Sequence, residues 1–152
     1  MIDPYDRQTV EAIWNRVLAG RETHPAPEAL LAELRSTELA HSREYNQFAH
    51  RFRPPHSALL RLSTRAILRA GRLRQLHRSQ SGHLPVTASG IARSPLPLQE
   101  ALRHGAEEAG RCADIYDRAA SIFPREQRIL QILGQEKRKD SQLLYRLAER
   151  LT

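Results

Sequence analysis

A single cysteine, Cys112, stands in 152 residues, which excludes an intramolecular disulfide and a cysteine-based zinc site. Aromatic residues are scarce as well, with one Trp, four Tyr and three Phe, and there are only seven glycines. In their place stand many Leu, Ala, Arg, Glu and Gln, side chains that lose little freedom in a helix, so an all-α fold is expected. No signal peptide opens the chain and no apolar run reaches the length of a bilayer span, which predicts a soluble protein of the reducing cytoplasm without a membrane partner. Phosphate-binding loops, catalytic triads and deaminase signatures are missing too.

Acidic residues are missing from one long stretch. Between Arg51 and Arg78 the chain carries Arg53, Arg61, Arg65, Arg69, Arg72 and Arg74 and no Asp or Glu, within an overall formal charge of +7. A solvated helix face explains this simply. The alternative is a basic nucleic-acid-binding helical protein, although no aromatic interleaving or reader motif accompanies the arginines.

What is abundant is amphipathic periodicity. Leu31, Leu34, Glu38, His41, Tyr45, Phe48 and Phe52 recur at spacings of three and four, one face of a helix A over 28–52 that Pro54 and Pro55 stop. Helix B, 57–78, repeats the stripe with Leu59, Leu62, Ala66, Arg69, Leu73 and Leu76, and the short break makes A and B an antiparallel hairpin. Residues 79–97 hold two glycines and three prolines and read as a crossover connection, with a helical turn near 86–92. Helix C, 98–123, places Ala101, Gly105, Glu108, Cys112, Tyr116, Ala119 and Phe123 in phase. Helix D, 125–151, gives Ile129, Ile132 or Leu133, Glu136, Lys139 or Asp140, Leu143, Leu147 and Leu151. Two hairpins joined by a longer connection predict a four-helix bundle with one crossover over 28–152. Residues 1–27 form a separate N-terminal segment: a short amphipathic helix over 6–18, with Trp14 on its apolar face, and a linker.

Each stripe carries polar side chains at its centre. Burying a carboxylate costs several kcal/mol unless it is paired, hydrogen-bonded or metal-bound, so Glu38 requires a partner from another helix. The layer expected around it holds His41, Tyr45, Ala66, Arg69, Glu108, Tyr116, Glu136 and Lys139 or Asp140.

With this layer the chain resembles the ferritin-like superfamily, of the rubrerythrin type, over about 30–151. That family's dimetal site takes a Glu from each of two helices and a Glu-x-x-His pair from each of the other two. The resemblance places Glu38, Glu108 and Glu136 at ligand positions. It places Ala66 and Arg69 where one motif has its Glu and His, and Lys139 where the other has its His. Ile13-Trp14-Asn15-Arg16-Val17 also looks like a leader found ahead of some bacterial ferritin-like domains. Three of six ligands are thus replaced, two of them by cations. The expectation is a bundle without a diiron or dimanganese cofactor, in which Arg69 and Lys139 pair with Glu38, Glu108 and Glu136, and which serves a structural or protein-interaction role as a homo-oligomer or with a protein partner.

The resemblance also implies an alternative, an iron-binding oxidoreductase or iron-handling protein with a rearranged site. Glu38 and His41 form a Glu-x-x-His pair, and Glu136 with Asp140 offers two carboxylates one helical turn apart; such a set suits iron, manganese or zinc. Against it, His41 reads as a seam histidine bonded to Glu38 or Tyr45, and a cation in the site repels a divalent ion. Tyr45 and Tyr116 stand where the family has tyrosines near its metals, or are core residues whose hydroxyls bond a carboxylate. Cys112 lacks a base one turn away and reads as a small buried apolar residue.

Overall fold

In the computed structural model, four long helices account for the fold, and the described residues contain no strand. The backbone is described for residues 25–81 and 96–151, and the side chains for 29–76 and 96–151. The amphipathic helix expected over 6–18 and the turn expected near 86–92 lie outside the described residues. The helices are α1 (Pro25–Ala49), α2 (Ser57–Ser81), α3 (Leu98–Ile122) and α4 (Gln127–Glu149).

The ends of the helices follow local chemistry. Helix α1 takes in Pro25 and Pro27, because the first turn has no intrahelical use for its N–H groups. It stops at Ala49, three residues before the expected end, where Arg51 N bonds Phe48 O at 3.1 Å and Phe52 N bonds Ala49 O at 3.2 Å in a tightened last turn. Pro54 and Pro55 follow, and α2 begins at Ser57. Phe123 closes α3 with its N–H on Ala119 O, and Pro124 bars continuation.

The contacts set the helix directions. Ser42 faces Ser63 and Glu38 faces Arg69, so α1 and α2 run antiparallel. Gln99 reaches Ala148 and Ser141 reaches Ala106, so α3 and α4 do the same. The start of α2 and the start of α3 share one apolar cluster: Leu59 and Leu62 lie with Ala101, Leu102, Leu144 and Leu147. The later part of α2 and the end of α3 share the other, where Leu73 and Leu76 pack with Leu31, Leu34, Ile115, Phe123 and Leu130. Hence α2 and α3 are parallel.

Small residues bring the backbones together. A Cβ on Gly134 would stand 3.0 Å from Tyr116 Cβ and 3.4 Å from the Ala113 carbonyl, so α4 approaches α3 closely only with glycine there. At Gly105 a Cβ would meet the Phe48 ring at 3.2 Å, where α3 crosses α1. Tyr116 and Phe48 are thereby pressed into the interior.

Two apolar clusters with a polar layer between them make up the core. The layer contains Glu38, His41, Ser42, Ser63, Arg69, Lys137, Asp140 and Ser141, all buried. The serines satisfy themselves locally: Ser42 and Ser63 each donate to the other's carbonyl, at 2.9 and 2.8 Å, and Ser141 donates to Ala106 O at 2.7 Å. The charged members depend on one another.

A buried ion-pair network as candidate functional site

Glu38 lies at the middle of α1 with no exposed surface. Its Oε2 accepts from Arg69 Nε at 2.6 Å and from the Tyr116 hydroxyl at 2.5 Å; its Oε1 accepts from Lys137 Nζ at 2.7 Å and, more weakly, from Arg69 Nη2 at 3.4 Å. Three different helices, α2, α3 and α4, therefore converge on one carboxylate. Arg69 extends the network, since its Nη2 also donates to Asp140 Oδ2 at 2.5 Å. Asp140 Oδ1 takes a further bond, at 3.1 Å, from Arg65 at the half-exposed edge. Lys137 donates to the Tyr45 hydroxyl at 3.2 Å, with its ammonium 5.2 Å from the ring centroid.

Two buried cations and two buried carboxylates thus neutralise one another, and the protonation states follow. Burial alone would push the Glu38 carboxyl up; the charges of Lys137 and Arg69 and their hydrogen bonds outweigh it and hold its pKa below the ordinary value. Burial alone would likewise lower the pKa values of Lys137 and Arg69, yet Glu38, with Asp140 in the case of Arg69, raises both. Burial, then the Glu38 charge, drives the Tyr116 hydroxyl well up, so it stays a donor. His41, 5.8 Å from the Tyr45 ring, is pushed well down by burial and by the Lys137 and Arg69 charges, and is neutral. Its Nδ1 makes no hydrogen bond, so neither Glu38 nor Tyr45 is its partner there. Burial pushes the Cys112 thiol up to about 12, which leaves it without thiolate at neutral pH.

The network differs in membership from the layer expected from the stripes. Lys139 is exposed, and Lys137, two positions earlier, supplies the ammonium. Glu108 is buried and is bonded by Arg111 at 2.5 Å, with His104 at 3.4 Å, both on its own helix. Glu136 is half-exposed at the rim, with Oε1 3.7 Å from Arg69 Nη1, an ion-pair contact too long for a hydrogen bond. Ala66 is fully buried within the apolar cluster of Leu59 and Leu62. Arg69, Asp140, Tyr45 and Tyr116 all touch the network. Of the arginines on α2, Arg61, Arg65, Arg72 and Arg74 are exposed, and Arg69 is withdrawn from that basic surface.

Lys137 was the residue missed, and the stripe that contains it was available. Leu130, Leu133, Lys137, Asp140, Leu144 and Leu147 recur at three and four without interruption, and all six are buried. Placing a lysine in a leucine seam makes physical sense only with a carboxylate opposite, which Glu38 provides.

One more carboxyl is perturbed. Glu44 lies beside Gly105 with Oε1 lacking a hydrogen bond, and burial raises its pKa to about 7. A carboxyl that ionises near 4.5 in the unfolded chain but near 7 in the fold favours folding at low pH, and this contribution is lost as pH rises through that interval. Glu44→Gln is therefore expected to stabilise the protein above about pH 7 by roughly 1–3 kcal/mol and to change little below about pH 4. Thermal melts at the two ends of that range check both.

The donor set does not fit a pair of metal ions. Both Glu38 oxygens accept bonds from cationic donors, Glu108 and Glu136 point to other partners, and two cations stand where divalent ions would be repelled. Among the described residues, no group of three or more His, Cys, Asp or Glu side chains is arranged to hold a metal. Comparison of the chain with protein-family models, with curated proteins and with solved structures returns no match.

Proposed function

We propose that this protein is a divergent ferritin-like bundle whose dimetal layer has been replaced by its own cations, and that it acts as a structural or protein-interaction scaffold rather than as an oxidoreductase. The observation that carries the reading is the fourfold bonding of Glu38 by Arg69, Tyr116 and Lys137 in a fully buried layer. In the family this resembles, a helix A glutamate at that position faces metal; here its lone pairs face a guanidinium, an ammonium and a phenol. The parallel arrangement of α2 and α3 is compatible with the same family.

The layer's contribution would be specificity. An ion pair replaced by apolar residues often costs nothing, so the network is better explained as a device that fixes how the helices meet than as a source of net stability. Sliding α4 by one turn against α1 would strand Lys137 and Glu38 in hydrocarbon, and that penalty selects one register.

Metal analysis tests the reading. Protein purified from cells grown with added iron and manganese, and the same protein after incubation with either ion under exclusion of oxygen, is expected to carry no stoichiometric metal. About two ions per chain, the loading of a dimetal bundle, would refute it.

A further inference from the structure

Beside the network, between α2 and α4, runs an open groove of about 360 Å³. Its walls are the aliphatic side chains of Leu68, Ile129, Ile132 and Leu133. Leu68 is 63 % exposed and Ile132 44 %, a large apolar exposure for two facing positions. The polar lining is Arg69, Arg72 and Glu136. Arg69 is 1 % exposed; its Nη1 is buried, makes no hydrogen bond and stands 3.7 Å from the Glu136 carboxylate at the rim.

Charge narrows the chemistry of an occupant. The charged side chains that line the groove are two cations, Arg69 and Arg72, and one carboxylate, Glu136. Arg72 is exposed, and no described carboxylate pairs with it. Of the charged side chains that line the groove, Arg69 belongs to the network and Glu136 lies at its rim, so Arg72 presents its charge at the polar end, with hydrocarbon along the sides.

We infer that this groove binds a small amphiphilic carboxylate, a monocarboxylic acid with an aliphatic tail. The carboxylate pairs with Arg72 at the end of the groove where Arg69 lies, and the tail lies on Leu68, Ile129, Ile132 and Leu133. The volume falls within the range of small-molecule sites, and a few polar groups set in an aliphatic lining are what such sites present. The groove and the exposed Arg72 are there whatever the history of the central layer.

The test is a titration of methyl-labelled protein with octanoate below its micellar range, alongside acetate and octylammonium. Octanoate is expected to saturate one site per chain and to move the methyl signals of Leu68, Ile129, Ile132 and Leu133 while leaving Leu59 and Leu144 in place. Acetate should bind at least ~tenfold more weakly, and octylammonium should not perturb those methyls. Arg72→Gln and Ile132→Glu, both at exposed positions, should each weaken octanoate by about fivefold or more with unchanged melting temperature. Absence of saturation, equal binding of octylammonium, or variants that bind octanoate like the parent would each overturn the inference.

Discussion

Replacing Arg69 by Met is expected to lower the free energy of unfolding by about 3–5 kcal/mol, while Lys139→Met stays within about 0.5 kcal/mol. The difference comes from burial. Arg69 has 1 % of its surface exposed and joins Glu38 to Asp140; without it the two carboxylates are left with Lys137 and the edge residue Arg65. Lys139, only two positions from Lys137, is exposed to water. Domains of this size are stabilised by roughly 5–15 kcal/mol in total, so the Arg69 variant should lose a large share of that margin. Arg69→Lys should recover only part of the loss, because a single ammonium cannot reproduce a planar fork that bonds one carboxylate through Nε and another through Nη2. Urea unfolding at neutral pH, comparing all three variants, measures this.

The second large effect lies in a pair. Glu38→Gln keeps the shape of the side chain but leaves Lys137 and Arg69 facing one carboxylate, Asp140, in the core, and should cost about 3–5 kcal/mol. Adding Lys137→Met to that variant removes the stranded ammonium. The remaining Arg69 still pairs with Asp140, and Tyr116 can donate to the Gln carbonyl. The double variant is therefore expected to be more stable than Glu38→Gln alone by about 1–3 kcal/mol, a coupling far beyond what distant sites show. Additive losses in the double-mutant cycle would mean that the two charges do not share an environment.

How much of this was legible beforehand varies by helix. Helices α2 and α3 could be read almost to their ends, since each has one unambiguous stripe and a proline near a boundary. Helix α4 was harder. Ile129, Ile132, Glu136 and Leu143 form a second stripe one position away from Leu130, Leu133, Lys137, Asp140 and Leu144, and hydrophobicity alone does not choose between them. The choice is made by Tyr116 and Asp117 against Gly134, where a closer helix contact is available on one side only, and by Glu38, which needs an ammonium. Both depend on contacts between residues far apart in sequence. Glu108 illustrates the reverse case: its position on the seam is clear, and a cation three residues along the same helix, Arg111, bonds it at 2.5 Å.

The starting point of the account, a carboxylate in need of a partner, was visible from Glu38 in a seam of Leu31, Leu34, Tyr45 and Phe48. That Arg69 lies opposite depends on α1 and α2 forming a hairpin whose register Ser42 and Ser63 also mark. The groove beside Arg72 had no counterpart in the sequence, because the facing of Leu68 and Ile132 appears only when α2 and α4 are set side by side.

The central claim is that Glu38 stays ionised because two cations of the chain itself hold it. Carbon-13 NMR of the Glu38 side-chain carboxyl through an acid titration measures this directly. A folded-state pKa below the ordinary value means that Glu38 contributes stability that is fully present above about pH 4.5 and is lost as pH falls through the lower, folded value. The account predicts a carboxylate signal that persists below about pH 4.5 for as long as the protein remains folded. A Glu38 that takes up its proton at or above that pH, with the fold intact, would contradict it.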